Sequence, residues 1–104
     1  PFVPKHRAPT HPGTMLLEEF IKPFGWTQAE AARRMDVTPQ TLSQLIAGKR
    51  DLSTAVAQNI AATFGTSIDF WLNLQATCDL YALRDRDLSK VRPVTEEERL
   101  AVAG

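Results

Sequence analysis

A chain of 104 residues has room for one hydrophobic core and none for a two-domain enzyme. Its 43% apolar and 23% charged residues are ordinary for a globular protein, and no apolar run approaches the roughly 20 residues that span a bilayer, so neither wholesale disorder nor a membrane protein fits. Twelve basic residues balance twelve acidic ones, so a nucleic-acid partner has to be argued from where charges sit and not from their sum. The first residues lack the charged-then-apolar pattern of a secretion signal, and the expected location is the cytoplasm. Cys78 is the single cysteine, which excludes an internal disulfide framework and a cysteine-based zinc knuckle.

Residues 1–13 hold Pro1, Pro4, Pro9 and Pro12 with the basic Lys5 and Arg7, and read as an extended, proline-rich arm. Helices are expected from there to residue 83. Leu17, Phe20, Ile21 and Phe24, at i, i+3, i+4 and i+7, form one apolar stripe that Pro23 and Gly25 bring to an end. Thr27 followed by Glu30 is a capping box opening a second helix with Ala31, Ala32 and Met35 inward. Thr38 before Pro39 opens a third, with Leu42, Leu45 and Ile46 inward and Gly48 placed for a left-handed C-terminal cap. Ser53 caps a fourth helix carrying Val56, Ile60 and Phe64, and Ser67 caps a fifth with Ile68, Phe70, Trp71, Leu72 and Leu74. Phe70 and Trp71 cannot both face one side of that helix, and Trp71 is expected in the core. Residues 84–104 form a charged extension, with a second capping box, Thr95 and Glu98, predicting a short helix over 95–103.

The fold class is therefore all-α, a five-helix domain over 14–83 between two extensions. The short second and third helices, separated by little more than Asp36 and Val37, make a helix-turn-helix the motif to test. Ala32 supplies the small residue at the helix crossing, whereas Asp36 stands at a left-handed turn position where glycine is usual. Outward on the third helix lie Gln40, Thr41, Ser43, Gln44 and Ala47, a face rich in amides and hydroxyls without one charge. A solvated face normally carries Lys and Glu; glutamine can instead make two hydrogen bonds to the adenine edge and threonine can offer its methyl to thymine. Lys49 and Arg50 follow this helix, Arg33 and Arg34 lie on the one before, and Gln28 at that helix's N-terminus is placed to meet a phosphate.

The run TQAEAARRMDVTPQTLSQLIAGKRDLS at residues 27–53 resembles the helix-turn-helix of the lambda-repressor-like (Xre) regulators. The runs GTSIDFWLNLQATCDLYAL at 65–83 and HPGTMLLEEF at 11–20 resemble the HigA branch of that superfamily. The resemblance implies an antitoxin that neutralises a HigB-like, mRNA-cleaving ribonuclease and, as a homodimer, represses its own operon on palindromic, double-stranded operator DNA. It implies recognition residues Gln40, Thr41, Ser43 and Gln44, with Gln28, Thr38, Lys49 and Arg50 toward phosphates. The alternative is a stand-alone Xre-type repressor with no toxin partner. A basic ribonuclease would be met by Glu18 and Glu19 on the outer side of helix one, or by Glu96, Glu97 and Glu98 in the tail, with the first surface preferred because it loses less entropy on binding.

No serine, cysteine or carboxylate is spaced with a histidine for nucleophilic catalysis, so no enzyme and no cofactor are expected. His6 and His11, with no third ligand, read as solvated rather than metal-binding, Asp79 as a locally paired group, and Cys78 as a small half-buried residue.

Overall fold

A computed structural model describes residues 8–103. Pro1, Pro4, Lys5, His6 and Arg7 of the expected arm lie outside the described residues. The described chain is helical and contains no strand: α1 (Pro12–Leu16) runs into a π-helical turn (Leu17–Ile21), followed by α2 (Gln28–Met35), α3 (Pro39–Ile46), α4 (Thr54–Phe64), α5 (Ile68–Ala82) and α6 (Glu96–Ala103). No helix among the described residues is long and apolar enough to cross a membrane.

The first helix differs most from its expectation. His11 is not solvated but half-buried, and its Nδ1 accepts a hydrogen bond from the Gly13 amide at 2.9 Å, capping α1 one residue before Pro12. Pro12 and Gly13 are thus buried in a helical turn instead of an extended arm. Gly13 lies directly against the backbone at Leu45 and Ile46, where a Cβ would collide with the Leu45 carbonyl, so the first turn of α1 can sit on the end of α3 only with glycine there. The apolar stripe also shifts. The π-turn puts five residues between equivalent positions, so the buried pair is Leu16 and Ile21, while Leu17 and Phe20 are half-buried and Phe24 is 63% exposed.

The remaining helices start where their caps predict. Thr27, Ser53 and Ser67 are extended, and their hydroxyl oxygens accept the amides of Glu30, Val56 and Phe70 at 3.1, 3.2 and 3.1 Å. Ala31, Ala32 and Met35 of α2, Leu42 and Leu45 of α3, Ala57, Ile60 and Ala61 of α4, and Leu52 in the connection between α3 and α4 close the core around Trp71. Ile46, Val56 and Phe64 are only half-buried at its edge. Trp71 is fully buried, and its indole N–H donates to Thr66 Oγ1 at 2.7 Å, which satisfies the ring's one polar group. Phe70 remains 40% exposed and meets Trp71 edge-on.

The segment after α5 is organised differently. Leu88, Val91, Val94, Leu100 and Val102 are all exposed, and α6 buries no residue. Its capping box closes in both directions: the Thr95 amide donates to Glu98 Oε1 at 3.0 Å and the Glu98 amide to Thr95 Oγ1 at 3.1 Å.

Candidate nucleic-acid interface

The turn between α2 and α3 is built from the backbone outward. Asp36 is left-handed, with φ 54° and ψ 46°, so α2 stops there, and the Val37 amide donates back to the Ala32 carbonyl at 3.0 Å. Aspartate reaches this region at some conformational cost, which α4 helps to bear. Asn59 Nδ2 donates to the Asp36 carbonyl at 3.4 Å, and Thr63 Oγ1 lies 3.4 Å from the Arg34 carbonyl as well as bonding the Asn59 carbonyl at 2.9 Å. Buried Ala32 and Met35 on one side and Leu42 and Leu45 on the other then fix how α3 leaves the turn.

Gln40 and Ser43 are exposed on the outer face of α3, as the helical period requires. Thr41 is half-buried, and its hydroxyl and amide are both engaged by Thr38, whose Oγ1 donates to Thr41 Oγ1 at 2.8 Å and accepts from the Thr41 amide at 3.1 Å. The two threonines therefore form the N-terminal cap of α3. Gln44 and Arg50, expected at bases and phosphates respectively, are bonded to each other: Gln44 Oε1 accepts from both Arg50 Nε and an Arg50 terminal nitrogen, at 3.0 and 2.8 Å. Lys49 is exposed beside them, its amide bound to the Gln44 carbonyl at 2.9 Å, and Gly48 carries the reversal with φ 73°.

On α2, Gln28 is exposed in the first helical position. Glu30 does not reach back to the cap. Hydrogen bonds from Arg33 and Arg34, the latter at 2.8 Å, take its two oxygens and hold the Glu30 carboxyl below the usual carboxylate range. The guanidinium of Arg34 also lies 4.7 Å from the Trp26 ring centre. The two arginines are thus already partnered, and Lys49 and Arg50 carry the positive charge nearest α3.

Elsewhere, Glu18 and Glu19 are exposed on the π-turn, and Glu18 pairs with Lys22 at 2.8 Å. Cys78 is half-buried, its thiol pushed up by burial and by Asp79 and Asp51, with Sγ 3.5 Å from the Thr10 carbonyl. No cluster of three metal-ligating side chains occurs among the described residues. Three contributors escaped the sequence reading. Gly13, Asn59 and Gln75 act by what they touch across the fold, and their nearest sequence signal, a polar Gln75 among the apolar residues of α5, shows burial but not its partner.

The sequence pattern of the helix-turn-helix family matches residues 17–71, slightly more than half of the chain. The chain belongs to this family. Among its relatives, Antitoxin HigA-1 of Vibrio cholerae is 41% identical over 80 residues, 77% of this chain and 75% of its own length. The HTH-type transcriptional regulator YbaQ of Escherichia coli K12 is 37% identical over 95 residues, 86% and 84% of the two chains. Among solved structures, the Pseudomonas aeruginosa antitoxin HigA with the higBA promoter superposes with a TM-score of 0.74 at 31% identity, over 84% of this chain and 99% of that one. This helix-turn-helix protein is thus HigA-like, and the lambda-repressor-like fold expected of it is the one observed.

Proposed function

We propose that the protein is a DNA-binding antitoxin, a binding protein and not an enzyme, that represses its own operon as a dimer and neutralises a HigB-like ribonuclease. One observation carries the DNA reading. The turn presents Gln40, Ser43 and Gln44 on an uncharged face of α3, with Lys49 and Arg50 immediately beyond it. A helix of this width fills the major groove, where amide and hydroxyl groups read base edges, and the flanking cations meet phosphates that every sequence shares. Gln28 and the free amides at the start of α2 supply a second phosphate contact on the other side of the groove. Thr38 and Thr41 contribute chiefly by fixing the first turn of α3.

A single recognition helix covers too few base pairs for a unique site, and a two-fold dimer doubles it. Leu80 and Leu83 at the end of α5, 72% and 55% exposed, supply apolar surface suited to that pairing. DNA occupies α3, so a toxin uses another surface; Glu18 and Glu19, on the rigid body and complementary to a basic ribonuclease, favour the π-turn side of the domain over residues 84–104. The second reading, a stand-alone repressor, draws on the likeness to YbaQ, by name an uncharacterised HTH-type transcriptional regulator.

Selection from a randomised duplex pool is expected to return an inverted repeat with half-sites about one helical turn apart, roughly 34–36 Å. Gln40→Ala is then expected to cost about 1–3 kcal/mol on that duplex and little on random DNA. Equal losses on both would place Gln40 on the backbone. Co-expression with a basic ribonuclease encoded beside this gene separates the antitoxin from the stand-alone repressor: a co-purifying complex that restores growth supports the first.

A further inference from the structure

Among the described residues, Gln75 is the polar one buried in the core, at 7% exposure, and it lies in the middle of α5, far along the chain from α3. Its carboxamide is nevertheless spent on the connection that leaves α3. Oε1 accepts the Leu52 amide at 2.7 Å, while Nε2 donates to Asp51 Oδ1 at 3.3 Å and to Asp79 Oδ1, one turn along α5, at 2.9 Å. Leu52 itself is 5% exposed, so its side chain and amide are both held two residues after the exposed Arg50.

The chemistry at position 75 is specific. The buried Leu52 amide needs an acceptor, and the neighbouring carboxylates of Asp51 and Asp79 accept from a neutral donor between them. A carboxamide provides both, whereas an apolar chain would leave a buried N–H unpaired and a carboxylate would add a third negative charge. Asp51 Oδ1 is met by Gln75 from α5, and the acceptor bonded to the Arg50 guanidinium is the neutral Gln44 Oε1 and not a carboxylate.

We propose that Gln75 is a positioning residue for DNA binding: from α5 it sets the backbone after α3 and withholds Asp51 from Arg50, so that Lys49 and Arg50 point where phosphates pass. The proposal rests on the DNA-binding reading above. The probe is the duplex that the unmodified full-length chain enriches from a randomised pool. If that chain enriches none, the DNA-binding reading itself fails. If it does, Gln75→Leu is expected to lower affinity for that duplex several-fold and to flatten its salt dependence at temperatures where the thermal melt shows the variant folded. In a Lys49→Ala/Arg50→Ala background the same substitution is expected to cost nothing further, because the groups it positions are gone. Losses that add across this cycle, or a Gln75→Leu protein that binds as tightly as the unmodified chain, would overturn the proposal. Gln75→Glu, which keeps the acceptor for Leu52, takes its place in the cycle if the leucine variant does not fold. In the unmodified chain the Leu52 amide is expected to exchange slowly with solvent deuterium, and exchange at the rate of an open amide would also overturn it.

Discussion

Two capping boxes are written into this chain, Thr27 with Glu30 and Thr95 with Glu98, and they end differently. At α6 both halves of the box form, and the residues three and four positions after Glu98 are Ala101 and Val102, which offer it no charged donor. At α2 only the threonine half forms, because Arg33 and Arg34, three and four residues on, present charged donors to Glu30. Yet α2, with the weaker cap, is the helix locked into the fold: it buries Ala31, Ala32 and Met35, whereas α6 buries nothing. A local signal decides where a helix begins, and burial decides whether that helix is part of the body.

The largest expected effect tests the burial half of this contrast. Trp71→Ala removes the largest fully buried side chain and is expected to cost about 3–5 kcal/mol in a denaturant melt, whereas Leu100→Ala in the tail should stay within about 0.5 kcal/mol. Comparable losses would mean that the tail packs on the body in solution. Gly13→Ala forces α1 away from the Leu45 carbonyl and is expected to cost about 1–3 kcal/mol as an overpacked contact, with operator affinity falling because α3 moves too. Normal stability in that variant would show that α1 can slide without penalty.

Smaller effects sharpen the capping half. Thr27→Ala should cost about 1 kcal/mol in the cooperative melt of the body, while Thr95→Ala should erase the helical signals of residues 96–103 without shifting that melt. A common shift for both would dissolve the distinction. The last effect is acid sensitivity. The Thr95 amide, then its hydroxyl, hold the Glu98 carboxyl below the usual glutamate range. A carboxyl so lowered supports the folded form above its unfolded value, and that support is lost as pH falls through the folded value. Residue-resolved NMR through that acid range should therefore show α6 fraying before α2, whose buried face does not depend on Glu30.

The elements were legible because their causes are local. Threonine or serine before an apolar period, proline at the first helical position and Gly48 past the end of α3 act through neighbours within one turn, and α2 to α6 follow them. The outward face of α3 was legible for the same reason, since a period of 3.6 residues separates Gln40 and Ser43 from Leu42 and Leu45. Helix one was misjudged because a π-turn changes the period itself, and nothing in the spacing of Leu17, Phe20, Ile21 and Phe24 distinguishes a stripe from its shifted register.

By itself, the order of residues determined α2 to α6, their serine and threonine caps, the turn at Asp36, the choice of an uncharged α3 face and the resemblance that names the family. The tertiary structure alone decided which distant groups share their hydrogen bonds: Asn59 with the turn, Gln75 with Leu52. It also decided that Gly13, and not a larger residue, stands under α3. The physical reason is the range of the interaction. Capping and periodicity are settled within a few residues, but the partner of a buried amide or the neighbour of a glycine is chosen by how whole helices pack, and segments more than twenty residues apart in the chain meet only after they have done so.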